Sequence, residues 1–378
     1  MYDAIVIGGG IVGTATAYHL VRSGAQTLLI DREDEGRATD AGAGILSPET
    51  SARVTDRIWG DFAIEAVAHY DRLVEYLRAD GIDETGYGVC GKLTVATDTE
   101  ELPAYEETYE AVKDRQERTG HPPDKVLYEV DQSTATELFP PLGSIERALY
   151  FENASRVDGR VFTEAMLAAA RTHGLSTVNE SAERLLFDGN RVTGVETDTD
   201  QYEADTAVIA GGAWSGTFGE QLDVTIPVEP QRGQIIHVET SDPTTGEWPI
   251  VSAFSDHYMV PWPEGRVAAG ATRESDVGFA PHTTMAGTRE VLDEALQVAP
   301  GLGNARIVDL RVGLRPLTTD LLPVLGDVPG IEGVELATGH GPTGLQLGPY
   351  SGKLIADKIL GNDLSTDITP FQVDRFQD

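Results

Sequence analysis

The feature that most constrains this chain lies in its first thirty-one residues. Residues 4–7 (AIVI) form a short, apolar, β-branched run, Gly8-Gly9-Gly10-Ile11-Val12-Gly13 turns the chain, and residues 14–23 can wind a helix that Gly24 ends. Residues 27–30 supply a second apolar strand, which stops at Asp31, 18 positions after Gly13. Strand, tight turn, helix, strand and acid within about thirty residues specify a parallel βαβ unit carrying G-x-G-x-x-G. Each residue type answers a physical demand. Gly8 permits the tight turn, Gly10 lets backbone approach a pyrophosphate, and Gly13 lets helix and strand pack closely. The helix N-terminus offers unpaired N–H groups to phosphates, and Asp31 accepts hydrogen bonds from an adenosine ribose while its charge opposes a 2′-phosphate. The unit therefore reads as a dinucleotide site of the NAD or FAD kind.

Composition narrows the class. The 378 residues carry 28 Lys plus Arg against 62 Asp plus Glu, a formal net charge of −34. Such a surface repels phosphate backbones and anionic membranes, so nucleic-acid binding is not expected. Only five of the basic residues are lysine, and acid-rich, Lys-poor composition keeps a protein hydrated when salt screens repulsion. The expectation is a cytoplasmic protein adapted to a salt-rich cytoplasm. A single cysteine, Cys90, excludes an internal disulfide framework. No run reaches the roughly 18 apolar residues of a membrane span. With no Lys or Arg before Arg22, and an acid at Asp3, the N-terminus is not expected to act as a signal peptide.

The fingerprint alone does not choose between NAD and FAD. Residues 334–337 read as a strand, followed by Thr338-Gly339-His340-Gly341-Pro342-Thr343-Gly344 and a helical stretch over 345–360. This repeats G-x-G-x-x-G at Gly339, Gly341 and Gly344, with no second strand and acid after it in the sequence given. A helix N-terminus at the pyrimidine edge of a flavin stabilises the negative charge of its reduced form, which favours FAD. The small-residue stretch 37–48 and the strand and turn over 206–215, ending Gly211-Gly212-Ala213-Trp214-Ser215, suit backbone passing close to an extended cofactor.

Taken in order, these motifs resemble the FAD-dependent amine and amino-acid oxidoreductases related to D-amino-acid oxidase, sarcosine oxidase and glycine oxidase. The resemblance spans nearly the whole chain: GGGIVG with Asp31, AGAGILSP from Ala41, Val157-Asp158-Gly159-Arg160 opening a helix through Arg171, and AGGAWSG at 210–216. It continues through Pro230-Gln231-Arg232-Gly233-Gln234, Tyr258-Met259-Val260-Pro261, Gly270-Ala271-Thr272, Gly313-Leu314-Arg315-Pro316, Leu322-Pro323-Val324-Leu325-Gly326 and Ala337-Thr338-Gly339-His340-Gly341. AGAGILSP looks most like the glycine-oxidase branch, whereas GHGPTG departs from it towards the sarcosine and D-amino-acid groups.

The resemblance implies an α/β fold: a Rossmann-like FAD-binding domain of the glutathione-reductase type with a second, antiparallel-sheet substrate domain. The FAD domain is expected at 1–86, 155–225 and 308–378, and the substrate domain at 87–154 and 226–307. Implied cofactor residues are Gly8, Gly10, Ile11, Val12, Gly13, Asp31, Arg32, Thr39, Gly42, Gly44, Ile45, Ala182, Gly211, Trp214, Gly339, Gly341, Pro342, Thr343, Gly344 and Leu345. Helices are expected over 56–78 and 100–118, the second an acid-rich solvated face.

On the substrate side, the resemblance implies that Arg315 holds a substrate carboxylate and that Tyr258 hydrogen-bonds it. An Arg fork binds a carboxylate bidentately and so aims an α-C–H at the flavin. His340, His257 and Leu46 are further candidates for the substrate or flavin face, although a lone His is more often a structural residue. The expected activity is FAD-dependent oxidation of the C–N bond of a small amino acid, a D-amino acid or a glycine- or sarcosine-like one. A hydride passes from Cα to flavin N5, giving an imine that hydrolyses. Sarcosine oxidases carry a flavin-linking cysteine near the C-terminal turn and a lysine near N5. Here Cys90 is far off in sequence and residues 267–270 (VAAG) hold no lysine, so FAD is expected to be non-covalent. The acceptor is left open between oxygen and an electron carrier or quinone. The alternatives are a dehydrogenase subunit, a non-catalytic FAD-binding partner subunit and an NAD-dependent dehydrogenase. Oligomeric state is not legible.

Overall fold

The computed structural model describes residues 1–51, 53, 57–254 and 257–377. Two eight-stranded sheets organise the chain. The first is built on Tyr2–Ile7, which pairs in parallel with Thr27–Ile30 on one side and Gln201–Ile209 on the other. Ser176–Val178 extends it beyond Thr27–Ile30, and Val334–Thr338 joins in parallel along Gln201–Ile209. Helices Ile11–Arg22 and Gly344–Ile359 pack on one face of this sheet. Ala4–Ile7, Thr27–Ile30 and Val334–Thr338 are buried throughout, as strands covered on both faces must be.

The two helices approach very closely. A Cβ on Gly348 would lie 2.9 Å from Ile11 Cγ2, and one on Gly352 would lie 2.7 Å from the Thr16 backbone nitrogen. Two glycines one turn apart thus let Gly344–Ile359 lie on the first helix and bring both N-termini to the same edge of the sheet. Under them run Arg57–Ala79 and Gly159–Thr172, whose buried Trp59, Phe62, Tyr70, Phe162 and Met166 complete this core. The helix expected from Asp56 begins at Arg57, and Asp56 itself lies outside the described residues.

The second sheet runs in the order Arg306–Leu317, Glu229–Glu239, Arg266–Gly270, Tyr258–Pro261, Ile250–Ala253, Lys92–Ala96, Arg147–Phe151, Leu127–Val130. Its pairings are antiparallel except Ile250–Ala253 with Lys92–Ala96. Arg306–Leu317 pairs along its length with Glu229–Glu239, so the expected boundary at 308 falls within a strand of this sheet. The motif strand carrying Arg315 belongs to the second sheet, and its last residue, Leu317, bridges to His340 just past the first-sheet strand Val334–Thr338. Among the described residues no helix is long and apolar enough to cross a membrane.

Candidate active site

A cavity of about 500 Å³ runs between the two sheets. One end is built by the N-terminal turn. Gly8 has φ +108°, and a Cβ there would lie 2.5 Å from the Ala210 carbonyl oxygen, so the turn needs glycine on both conformational and steric grounds. The first helix has no side-chain cap at Gly10, and the Ile11 N–H donates to Thr39 Oγ1 at 3.0 Å. A Cβ on Gly10 would meet only Thr39 Oγ1, at 3.2 Å, and one on Gly211 nothing closer than 3.6 Å. Both glycines therefore leave bare backbone facing the cavity.

Asp31 closes this end. It accepts from the Gly9 N–H and, at 2.7 Å, from the Glu33 N–H, and its Oδ2 lies 3.3 Å from Arg37, which also donates to the Gly9 carbonyl. Arg32 lies beside it, paired with Asp34 and 5.8 Å over the Trp214 ring. Ala182, on the strand Ala182–Asp188, lines the same end.

The second helix N-terminus enters the middle of the cavity through Gly341, Pro342, Thr343, Gly344 and Leu345. It too lacks a side-chain cap, because Thr343 Oγ1 donates instead to the His340 carbonyl. Gln346, 6% exposed and lining the cavity, has its side-chain nitrogen without a hydrogen-bond partner. Buried donors left this way ask for an acceptor.

The far end is formed by the second sheet. The Arg315 guanidinium sits where a Cβ on Gly233 would lie 2.4 Å from one of its nitrogens. It donates to the Thr272 carbonyl at 2.9 Å and to Gln231 Oε1 at 3.3 Å. Among the described residues no carboxylate lies within 4 Å of it. The nearby Glu274 is held by Arg232 at 2.6 Å, Gln234 at 2.6 Å and Thr272 Oγ1 at 2.8 Å. Tyr258 stands beside Arg315. Burial raises the phenol pKa against the pull of Arg315 and Arg273, and burial lowers that of the guanidinium while Tyr258 opposes the shift. The phenol is therefore neutral and the guanidinium charged at working pH.

Residues 3–358 match the family described as DAO, FAD dependent oxidoreductase. The chain belongs to this family. As an FAD-dependent oxidoreductase it is 38% identical to the uncharacterised oxidoreductase YurR of Bacillus subtilis strain 168, over 98% of both chains. With the glycine oxidase of Pseudomonas aeruginosa PAO1 it shares 29% identity over 97% of each chain. Its structure superposes on the iminodiacetate oxidase of Chelativorans sp. BNC1 with a TM-score of 0.90, at 33% identity and 98% coverage of both chains.

The residues present fit FAD. Bare backbone at Gly10 and Gly211 and the uncapped first helix suit a pyrophosphate, Asp31 keeps acceptor capacity for a ribose, and Gln346 with the second helix N-terminus suits a flavin's electron-rich edge. The one cysteine, Cys90, is not among the cavity-lining residues.

Three candidate cofactor or site residues do not line the cavity. Leu46 is fully buried in the core, while its neighbour Ile45 faces the cavity. In the two-residue strand Ile45–Leu46 adjacent side chains take opposite faces. Gly13 serves packing, since a Cβ would lie 1.9 Å from the Gly8 carbonyl oxygen. Gly339 serves a turn at φ +73°, against Thr318. Gly42 and Gly44 do line the cavity, but the close approach they permit is to Leu345 and to the Val157 carbonyl.

His340 lines the cavity too, yet burial pulls its pKa down to about 3 and its Nε2 lies 2.9 Å from Ser351 Oγ. That hydroxyl donates onward to the Leu347 carbonyl, so it accepts from a neutral imidazole. His257 lies 3.8 Å from both Glu290 and Glu294. Arg37, Gln346 and Lys92 are cavity residues that sequence reasoning did not single out for the site. For Lys92 a signal existed: a lysine opening an otherwise apolar strand, K-L-T-V-A, in a chain with five lysines.

Proposed function

We propose that the chain oxidises the C–N bond of a small amino acid, a D-amino acid or a glycine- or sarcosine-like amine, at the second-sheet end of this cavity. The observation that carries the reading is Arg315: a half-buried guanidinium lining the cavity with no carboxylate within 4 Å among the described residues, in a chain of 62 acids. A cation left so asks for an anionic ligand. The names of the similar glycine and iminodiacetate oxidases support an amino-acid substrate.

In this reading the Arg315 fork takes the substrate carboxylate bidentately, and the neutral Tyr258 hydroxyl donates to the same group. Thr272 and Gln231 fix the fork, and Gly233 gives it room. The carboxylate so held points the Cα–H bond and amine towards the middle of the cavity, and the two sheets exclude water around them. FAD, when bound, would supply a two-electron acceptor for the hydride of the substrate held there, and hydrolysis of the oxidised amine would release an oxo acid and ammonia or an amine. His340, neutral and engaged with Ser351, holds the turn at the second helix and moves no proton. Electrons leave to oxygen or to a carrier.

The division of the chain is proposed to follow the sheets, with the strand Arg306–Leu317 assigned to the substrate domain. The acidic, Lys-poor surface is proposed to serve a salt-rich cytoplasm. The test is to add glycine, sarcosine, iminodiacetate, L-proline and D-amino acids to the purified flavoprotein without oxygen and follow the visible flavin bands. Bleaching by one of them is expected. A normal flavin spectrum unmoved by all of them would refute the reading.

A further inference from the structure

The cavity lining confines its carboxylates to one end. Its three carboxylates, Asp31, Asp34 and Glu180, all belong to the first-sheet end. The second-sheet end carries Lys92 and Arg315 on its strands, and no lining carboxylate among the described residues. In a protein of net charge −34, a second cation on the same wall as Arg315 exceeds what a single carboxylate requires.

Lys92 is that second cation. It is 5% exposed, lines the cavity, and has one long hydrogen bond among the described residues, 3.5 Å to the Thr50 carbonyl. An ammonium has three donors, so two remain. Glu49 lies near enough to support its charge, but burial dominates and pulls the pKa down to about 8. Thr94, two residues on and on the same strand face, is also 5% exposed and lines the cavity. Its hydroxyl oxygen has no hydrogen-bond partner. Two buried, under-satisfied polar groups thus stand side by side.

Register connects them to Arg315. Thr94 pairs with Ser252, and Ser252 with Tyr258, on adjacent strands. All three line the cavity, forming a row that spans two strand spacings, about 10 Å at the backbone. Tyr258 in turn touches Arg315. One wall therefore presents Arg315 with Tyr258 at one station and Lys92 with Thr94 at the next.

We propose that this wall binds an amine carrying two carboxylates, the first on Arg315 and Tyr258 and the second on Lys92 and Thr94. The proposal rests on the amino-acid reading above for the first station only. Preferred substrates are then dicarboxylic amines such as iminodiacetate, rather than glycine or sarcosine.

The test separates the two readings. The FAD-loaded protein is titrated with thiodiacetate and with (methylthio)acetate, which replace the amine by sulfur, and the shift of the flavin band is followed. Thiodiacetate is expected to bind about 10- to 100-fold tighter, the range of one charge-assisted hydrogen-bonded contact. In Lys92→Met that ratio falls to about 1, and in Thr94→Val it falls part-way. A wild-type ratio near 1, or a ratio unchanged in Lys92→Met, overturns the proposal. Should Lys92→Met fail to load FAD, the wild-type ratio and Thr94→Val decide it. A Lys92-dependent ratio in a protein whose flavin no amine reduces would sustain the second station and refute C–N oxidation.

Discussion

Gly9→Ala puts the cofactor-binding account under direct strain. A Cβ at this position would lie 2.2 Å from Asp31 Oδ2, where ordinary contact begins near 3.4 Å. The carboxylate must retreat by the difference, about 1.2 Å. In doing so it gives up the Gly9 N–H and moves relative to Arg37, now 3.3 Å away. An acceptor displaced that far no longer meets a ribose hydroxyl in good geometry. Losing one charge-assisted hydrogen bond costs about 1.5–3 kcal/mol, which is about 10- to 140-fold in Kd. The assay is titration of apoprotein with FAD, followed by quenching of flavin fluorescence. Gly10→Ala is the companion: its Cβ meets only Thr39 Oγ1, at 3.2 Å, so the apoprotein melts near the wild-type temperature while FAD affinity drops. Wild-type FAD affinity in Gly9→Ala would refute the role given to Asp31.

Buried histidines make the fold acid-labile. Burial lowers the pKa of His69 and His237 to about 4 and of His340 to about 3. Their contribution is fully present above the unfolded value near 6.5 and is lost as pH falls through the folded values. The denaturant midpoint is therefore expected to drop between pH 6.5 and 4, and a midpoint constant over that window would contradict it. Glu335 works the other way: burial raises its carboxyl to about 7 despite Lys358 at 2.7 Å. The folded state holds that proton while the unfolded chain has lost it, so stability falls as pH rises from about 4.5 to 7. Glu335→Gln should then raise the melting temperature at pH 8 and leave it nearly unchanged at pH 4.5, measured by calorimetry. The acidic surface gives a further expectation. Molar KCl should raise the melting temperature by screening the net charge of −34, and a melting temperature indifferent to salt would contradict the reading of the composition.

Local chemistry made much of this fold legible. The turn from Gly8 to Gly13, the helix after it and Asp31 at the end of Thr27–Ile30 are specified by neighbours within thirty residues. Arg315 stands out through the resemblance of its Gly313-Leu314-Arg315-Pro316 segment to the family's. What escaped depended on partners distant in sequence. Lys92 and Thr94 gain meaning only when Lys92–Ala96 pairs with Ile250–Ala253, and Arg306–Leu317 joins the second sheet only through Glu229–Glu239. Leu46 failed for a smaller reason: strand side chains alternate, and a one-residue error of parity exchanges cavity for core. Gly42 and Gly44 line the cavity, but Leu345 and Val157, which fill the space beside them, come from remote segments.

Arg315 is proposed to anchor an amino-acid carboxylate beside bound FAD. The most direct measurement mixes wild-type and Arg315→Ala flavoprotein, without oxygen, with the best amino-acid reductant and follows flavin bleaching over time. Arg315→Ala is expected to keep its flavin spectrum yet lose reduction by about 100-fold or more in the concentration-dependent rate, as removal of a bidentate charged contact requires. Equal bleaching rates in the two proteins would contradict it.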